Sequence, residues 1–80
     1  MPDTSLPMSL LRMKVGGTEL TPREVLVLKR LALGDTQVEV AAHLGTSFET
    51  VRKQAKLARA RLGARTNAHA VAIAISLDLI

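Results

Sequence analysis

The sequence predicts a small all-α domain of four short helices, because of its composition and its clear helix start and stop signals. Of its 80 residues, 48% are hydrophobic, yet Phe48 is the only aromatic residue. The apolar residues are mainly leucine, alanine and valine, and alanine favours helices and is depleted in strands. We therefore expect one domain over residues 20–80, preceded by an N-terminal arm over residues 1–19.

The arm is the least regular part of the sequence. Residues 1–7 are polar and contain two prolines, which predicts a disordered lead-in. Residues 10–15 alternate apolar and basic side chains, and Gly16-Gly17 suits the turn of a short β-hairpin that returns over residues 18–20. The alternative is an extended arm that packs one or two leucines on the core.

The first helix has the most complete signal. Thr21 is a favourable N-cap, Pro22 occupies the first helical position, and Glu24 completes a capping box. Apolar residues then recur at helical spacing until Gly34, which suits the residue after a helix end. This pattern predicts a helix over residues 22–33.

The same signals predict three further helices. The second starts after Asp35 or Thr36 and stops at Gly45. The third covers residues 49–62, and the fourth covers residues 68–79.

Positive charge is concentrated in the third helix and its exit. Residues 49–65 hold six of the eleven basic residues against the single acidic Glu49, whereas the rest of the chain holds five basic and six acidic residues. Helical spacing predicts a narrow inward stripe of Val51, Ala55, Ala58 and Leu62. It predicts a separate basic ridge of Arg52, Lys53, Lys56 and Arg59. Like charges one turn apart repel and destabilise the helix that carries them. Contacts with a polyanion would offset this cost, so the ridge indicates a polyanion partner. The alternative is that the ridge is a solvated face of an ordinary helical bundle.

The connection between the second and third helices favours duplex DNA as that partner. Gly45 lies in the short segment 43–47, and helix-turn-helix motifs require such a tight turn. In such a motif the later of the two helices, here the third helix of the chain, enters the major groove of DNA. Arginine and lysine side chains can pair with guanine there. We therefore expect binding to double-stranded DNA.

The ordered motifs of the chain resemble the LuxR/GerE-type DNA-binding domain. They are LTPRE (20–24), LALGDTQVEVAAHLG (31–45), TVRK (50–53) and LGARTNAHAVAIAISLDLI (62–80). The resemblance implies a four-helix domain whose third helix reads DNA and whose fourth helix commonly mediates dimerisation. It implies base contacts by Arg52, Lys53 and Lys56. It implies contacts to the DNA backbone by Ser47, Thr50, Gln54 and Arg59.

Two features qualify this resemblance. The chain departs from the family pattern at Leu26, Thr46 and Gln54, which leaves its operator sequence open. Residues 50–62 also resemble the recognition helix of sigma-factor region 4, although the tail from Leu62 favours the LuxR/GerE type. A rival hypothesis is therefore a protein-interaction module whose basic helix docks on a sigma factor, RNA polymerase or an antirepressor.

The fourth helix is apolar around most of its circumference, and such a helix needs burial on more than one side. We therefore predict a homodimer. Its predicted interface residues are Ala70, Ile73, Ala74 and Leu77. The alternative is that Leu10, Leu11 and Met13 of the arm cover this face.

We expect no catalytic activity, cofactor or metal. The chain has no cysteine, His43 and His69 lack a carboxylate cluster at ligand spacing, and no catalytic grouping is recognisable. No secretory signal or bilayer-length apolar run is present, so we expect a cytoplasmic, nucleoid-associated regulator from a bacterium or phage. The segment before Leu20 is too short for a receiver or ligand-binding domain, which predicts a standalone domain controlled by its expression level, a partner protein or promoter competition.

Overall fold

The computed structural model describes residues 19–80, and within that range it contains four α-helices and no strand. They are α1 (Pro22–Ala32), α2 (Gln37–Leu44), α3 (Phe48–Leu62) and α4 (Asn67–Ser76). The predicted all-α class is confirmed. The predicted arm or hairpin lies, apart from Glu19, outside the described residues.

Each helix begins at a hydroxyl-bearing cap. In α1 the Thr21 side chain accepts a hydrogen bond from the Glu24 amide, and the Glu24 carboxylate accepts one from the Thr21 amide. Thr36 and Glu39 form the same reciprocal pair at α2, so Thr36 and not Asp35 is the cap. Because these pairs satisfy amides that have no partner inside the helix, the helix starts are encoded locally.

The end of α4 differs from the prediction, which placed it at Leu79. Gly34, Gly45 and Gly63 follow the first three helices with positive φ. Asp78 adopts the same left-handed conformation at φ 60°, and the Leu79 amide then donates to the Ala74 carbonyl. This hydrogen bond closes the helix in the pattern that glycine usually supports, so α4 ends at Ser76.

The core consists of two clusters that share α1 and α3. The first lies between α1, α2 and α3. Its buried residues are Val27, Val40, Ala41, Val51 and Ala55. The second lies between α1, α3 and α4. Its buried residues are Leu28, Ala58, Ala70 and Ala74.

The second cluster corrects part of the predicted dimer interface. Ala70 and Ala74 are fully buried within the single chain, so the prediction that they face a second copy is wrong. The reason is that these two residues, one turn apart, form the face of α4 that packs against the domain's own core. Ile73 and Leu77 are half-buried, and whether they contact a second copy stays a prediction.

A buried ion pair joins the start of α1 to the end of α3. Glu24 is only 2% exposed, and the Nε atom of Arg61 lies 3.1 Å from its Oε1 atom. Oε1 also accepts the Thr21 amide, and Oε2 accepts Arg61 Nε at 3.3 Å. One carboxylate therefore caps α1 and holds the last turn of α3.

We predict that Arg61→Met lowers the free energy of unfolding by about 1–3 kcal/mol. Removing one partner of a buried pair costs about 3–5 kcal/mol, because the other charge stays buried. The loss here is smaller because the Arg61 side chain is 36% exposed and water screens the pair. Urea unfolding measures the change, and Arg65→Met is the control because Arg65 is exposed. Equal unfolding midpoints for the two variants would contradict the structural role of the pair.

Candidate nucleic-acid interface

The turn between α2 and α3 fixes the position of α3. Gly45 has φ 64°, and the Thr46 amide donates to the Ala41 carbonyl, which closes α2. Ser47 then caps α3 by accepting the Thr50 amide at 3.1 Å. Only Gly45 and two further residues thus separate the two helices, and residues of both pack in the first cluster.

The outer face of α3 carries the predicted base-contact residues. Arg52, Lys53 and Lys56 are all exposed. On the opposite side Val51, Ala55 and Ala58 are fully buried, and Leu62 is half-buried. The predicted inward stripe is therefore confirmed, and the three cations point away from the core.

Arg52, Lys53 and Lys56 differ in whether they form ion pairs within the domain. An Nη atom of Arg52 lies 3.1 Å from Oε1 of Glu49, and both side chains are mostly exposed. An exposed pair of this kind is weak, so an anionic ligand can compete with Glu49 for Arg52. Neither Lys53 nor Lys56 forms an ion pair with another residue of the described part of the chain.

The predicted backbone-contact residues fall into two groups. Ser47 is exposed and Thr50 is half-buried, and they lie together at the start of α3, where the Ser47 hydroxyl donates to Thr50 Oγ1 at 2.9 Å. Gln54 is half-buried, and its Oε1 atom is buried without a hydrogen-bond partner in the described structure. Arg59 follows Gln54 by five residues, nearer the end of α3.

The position of Arg59 corrects the predicted ridge. Arg59 is half-buried, and its guanidinium donates to Oδ1 of Asn67 at the start of α4. It is therefore a link between α3 and α4 and not a fourth member of the exposed cationic row. The sequence interpretation also missed Arg61, whose partner Glu24 lies 37 residues away along the chain, a separation that leaves no local signal.

Within residues 19–80 no group of three or more histidine, cysteine, aspartate or glutamate side chains is placed to hold a metal ion. None of the helices in that range is long and apolar enough to span a bilayer.

A short helix followed by a tight turn and an exposed basic helix defines the helix-turn-helix class of DNA-binding domain. The family model described as "Bacterial regulatory proteins, luxR family" matches residues 18–74. The chain belongs to this family, whose members are DNA-binding transcription factors without enzymatic activity. The resemblance noted from the sequence motifs is therefore confirmed.

Among curated proteins, the chain is similar to the HTH-type transcriptional activator RamA of Corynebacterium glutamicum. The two are 43% identical over 54 residues, which make up 68% of this chain and 19% of that protein. The chain thus corresponds to a minor part of the length of this relative. No solved structure matches the chain significantly.

We predict that Glu49→Gln strengthens binding to random duplex DNA by about 0.2–1 kcal/mol, which is the range of one exposed charge pair. The substitution removes the one acidic side chain of α3 and releases Arg52. Glu49→Gln also lowers the free energy of unfolding by about 0.3–1 kcal/mol, because an anion in the first turn stabilises a helix through its interaction with the helix dipole. Fluorescence anisotropy and urea unfolding measure the two effects. Unchanged or weaker DNA binding would show that Glu49 does not restrain the cationic face.

Proposed function

We propose that the chain regulates transcription by binding a specific duplex DNA sequence, with α3 in the major groove. Arg52, Lys53 and Lys56 contact base edges, where each can donate hydrogen bonds to guanine. The observation that carries this proposal is the exposure of all three cations on the side of α3 opposite its buried stripe. In this arrangement the domain can bring its most basic surface against DNA without unfolding.

Contacts to the DNA backbone complete the proposed interface. Ser47 and Thr50 lie at the N-terminus of α3, where helix amides favour phosphate. Gln54 follows one turn later, and its side-chain amide can rotate to donate. Arg59 can contact phosphate while it keeps Asn67, because one bond to an amide oxygen uses only one of its five N–H donors.

We predict that Lys53→Ala weakens binding to the preferred operator by about 1–3 kcal/mol and leaves the unfolding midpoint nearly unchanged. Lys53 is exposed and has no ion pair in the described part of the chain, so its loss removes a DNA contact and no internal one. Lys29→Ala is the matched control, because Lys29 is an exposed lysine on α1. The operator is first obtained by selection from random duplexes, and both variants are then titrated against it.

Three results of this experiment contradict the proposal in different ways. Equal losses for Lys53→Ala and Lys29→Ala would mean that total charge matters and α3 does not read bases. Equal affinity of the wild-type protein for selected and random duplexes would reject sequence specificity. No duplex binding even at low salt, where phosphate contacts are strongest, would favour a protein-interaction module that docks on a sigma factor or RNA polymerase.

We further propose that the regulator acts as a homodimer through α4, in the cytoplasm and in association with the nucleoid. With Ala70 and Ala74 in the core, the available surface is an exposed apolar row of Ala68, Ala72 and Ile75. These residues follow one another at intervals of one helical turn, so a second α4 can pack along them. A twofold dimer would place its two recognition helices in successive major grooves, about 10 bp apart.

We predict that Ala72→Glu converts the dimer to a monomer, because the charge would be buried in the proposed contact without a partner. The variant should lose affinity for a twofold operator and keep affinity for a single half-site. Ala42→Glu is the control, since Ala42 is an exposed alanine on α2. Sedimentation equilibrium measures the oligomeric state. A dimer that persists in Ala72→Glu, or a monomeric wild-type protein, would reject α4 as the interface.

A further inference from the structure

We infer that Leu57 determines specificity by contacting the 5-methyl group of a thymine in the operator. This inference rests on the proposed function, since it requires α3 to lie in the major groove. It adds an apolar contact to the hydrogen bonds proposed for Arg52, Lys53 and Lys56.

Leu57 lies on the DNA-binding face of α3 and not in the core. It is 44% exposed, whereas Val51, Ala55 and Ala58 of the inward stripe are fully buried. It follows Lys53 by four residues, so the two side chains are neighbours on the helix surface. Leu57 lines the same open concave surface as Thr50, Lys53 and Lys56. An apolar group is therefore set among the residues that would meet the DNA.

The chemistry of the major groove identifies the partner of such a group. Donors and acceptors dominate the base edges there, and the thymine methyl is the distinct apolar group. A helix surface needs no leucine for its own stability, because lysine, glutamine and glutamate have similar helix propensities. When the lysines approach the bases, Leu57 is brought to the groove floor, where a methyl group can remove part of its surface from water.

Helix geometry limits where this thymine lies. Four residues advance about 6 Å along an α-helix, and successive base pairs of one strand are about 3.4 Å apart. The thymine should therefore fall within about two base pairs of the base that Lys53 contacts. The position of that base can be found from the sequence preference that Lys53→Ala relaxes.

Replacing single thymines of the operator by deoxyuridine tests the inference, since this removes only the methyl group. For the wild-type protein, one such replacement within that distance should weaken binding about fourfold, the value of one buried methyl group. In Leu57→Ala the same replacement should have no effect. In Leu26→Ala it should still weaken binding about fourfold. Leu26 is a matched control, because it is also 44% exposed and lies on α1.

A second variant separates the contact from a general change in α3. Leu57→Met keeps an apolar side chain of similar volume and should retain most of the penalty for deoxyuridine. Circular dichroism and urea unfolding of Leu57→Ala confirm that it is folded. Folding should be kept, because the residue is exposed and alanine favours helices.

The outcomes are distinguishable from failure of the proposed function. If the wild-type protein binds its operator but no thymine methyl near the Lys53 base matters, the inference is overturned and the proposed function stands. A penalty of equal size in wild type and Leu57→Ala overturns it as well. If the wild-type protein selects no duplex at all, the proposed function fails first, and the thymine contact fails with it.

Discussion

The close packing of one narrow stripe of α3 is the constraint on which the rest of the domain depends. Val51 and Ala55 pack in the cluster with α1 and α2, whereas Ala58 packs in the cluster with α1 and α4. Because the middle of the stripe is made of alanines, Ala55 and Ala58, three helices can pack closely on this side of α3 and leave its other side to solvent. The repulsion among neighbouring cations on that outer side costs only a few tenths of a kcal/mol per pair, which burial of a single valine side chain outweighs.

The Glu24–Arg61 pair adds a polar restraint to this packing. A buried ion pair is weak evidence for net stability, because desolvation offsets most of the attraction. Its geometric effect is direct, since the Glu24 carboxylate accepts hydrogen bonds from the Thr21 amide at the start of α1 and from the Arg61 side chain in the last turn of α3. The opposite end of α3 is held by the turn at Gly45 and the cap at Ser47. Both ends of α3 are thus tied to the body of the domain, which pre-organises its exposed outer face.

Most helix starts and ends could be predicted because their signals are local, but the faces of α4 could not. Capping boxes at Thr21 and Thr36 lie within three residues of the amides that they satisfy. The early end of α4 was missed because Asp78 takes a conformation that glycine usually supplies. The interface prediction failed at Ala70 and Ala74 because a helix that is apolar all round has no periodicity to show which face packs inward. The partners of Arg59 and Arg61 lie on other elements, so only the tertiary structure reveals them.

These partners change how the charge of α3 should be understood. The sequence shows six basic residues between positions 49 and 65, but Arg59 and Arg61 hold α4 and α1 in place. Lys53 and Lys56 are exposed and have no ion pair with the described residues, whereas Arg52 forms an ion pair with Glu49. Charge count alone therefore overstates the cations that are free of internal contacts, because Arg59 and Arg61 also help to position α3. Contacts that do not depend on charge can add discrimination to such a surface, and the contact that we propose for the exposed Leu57, four residues after Lys53, would be one of them.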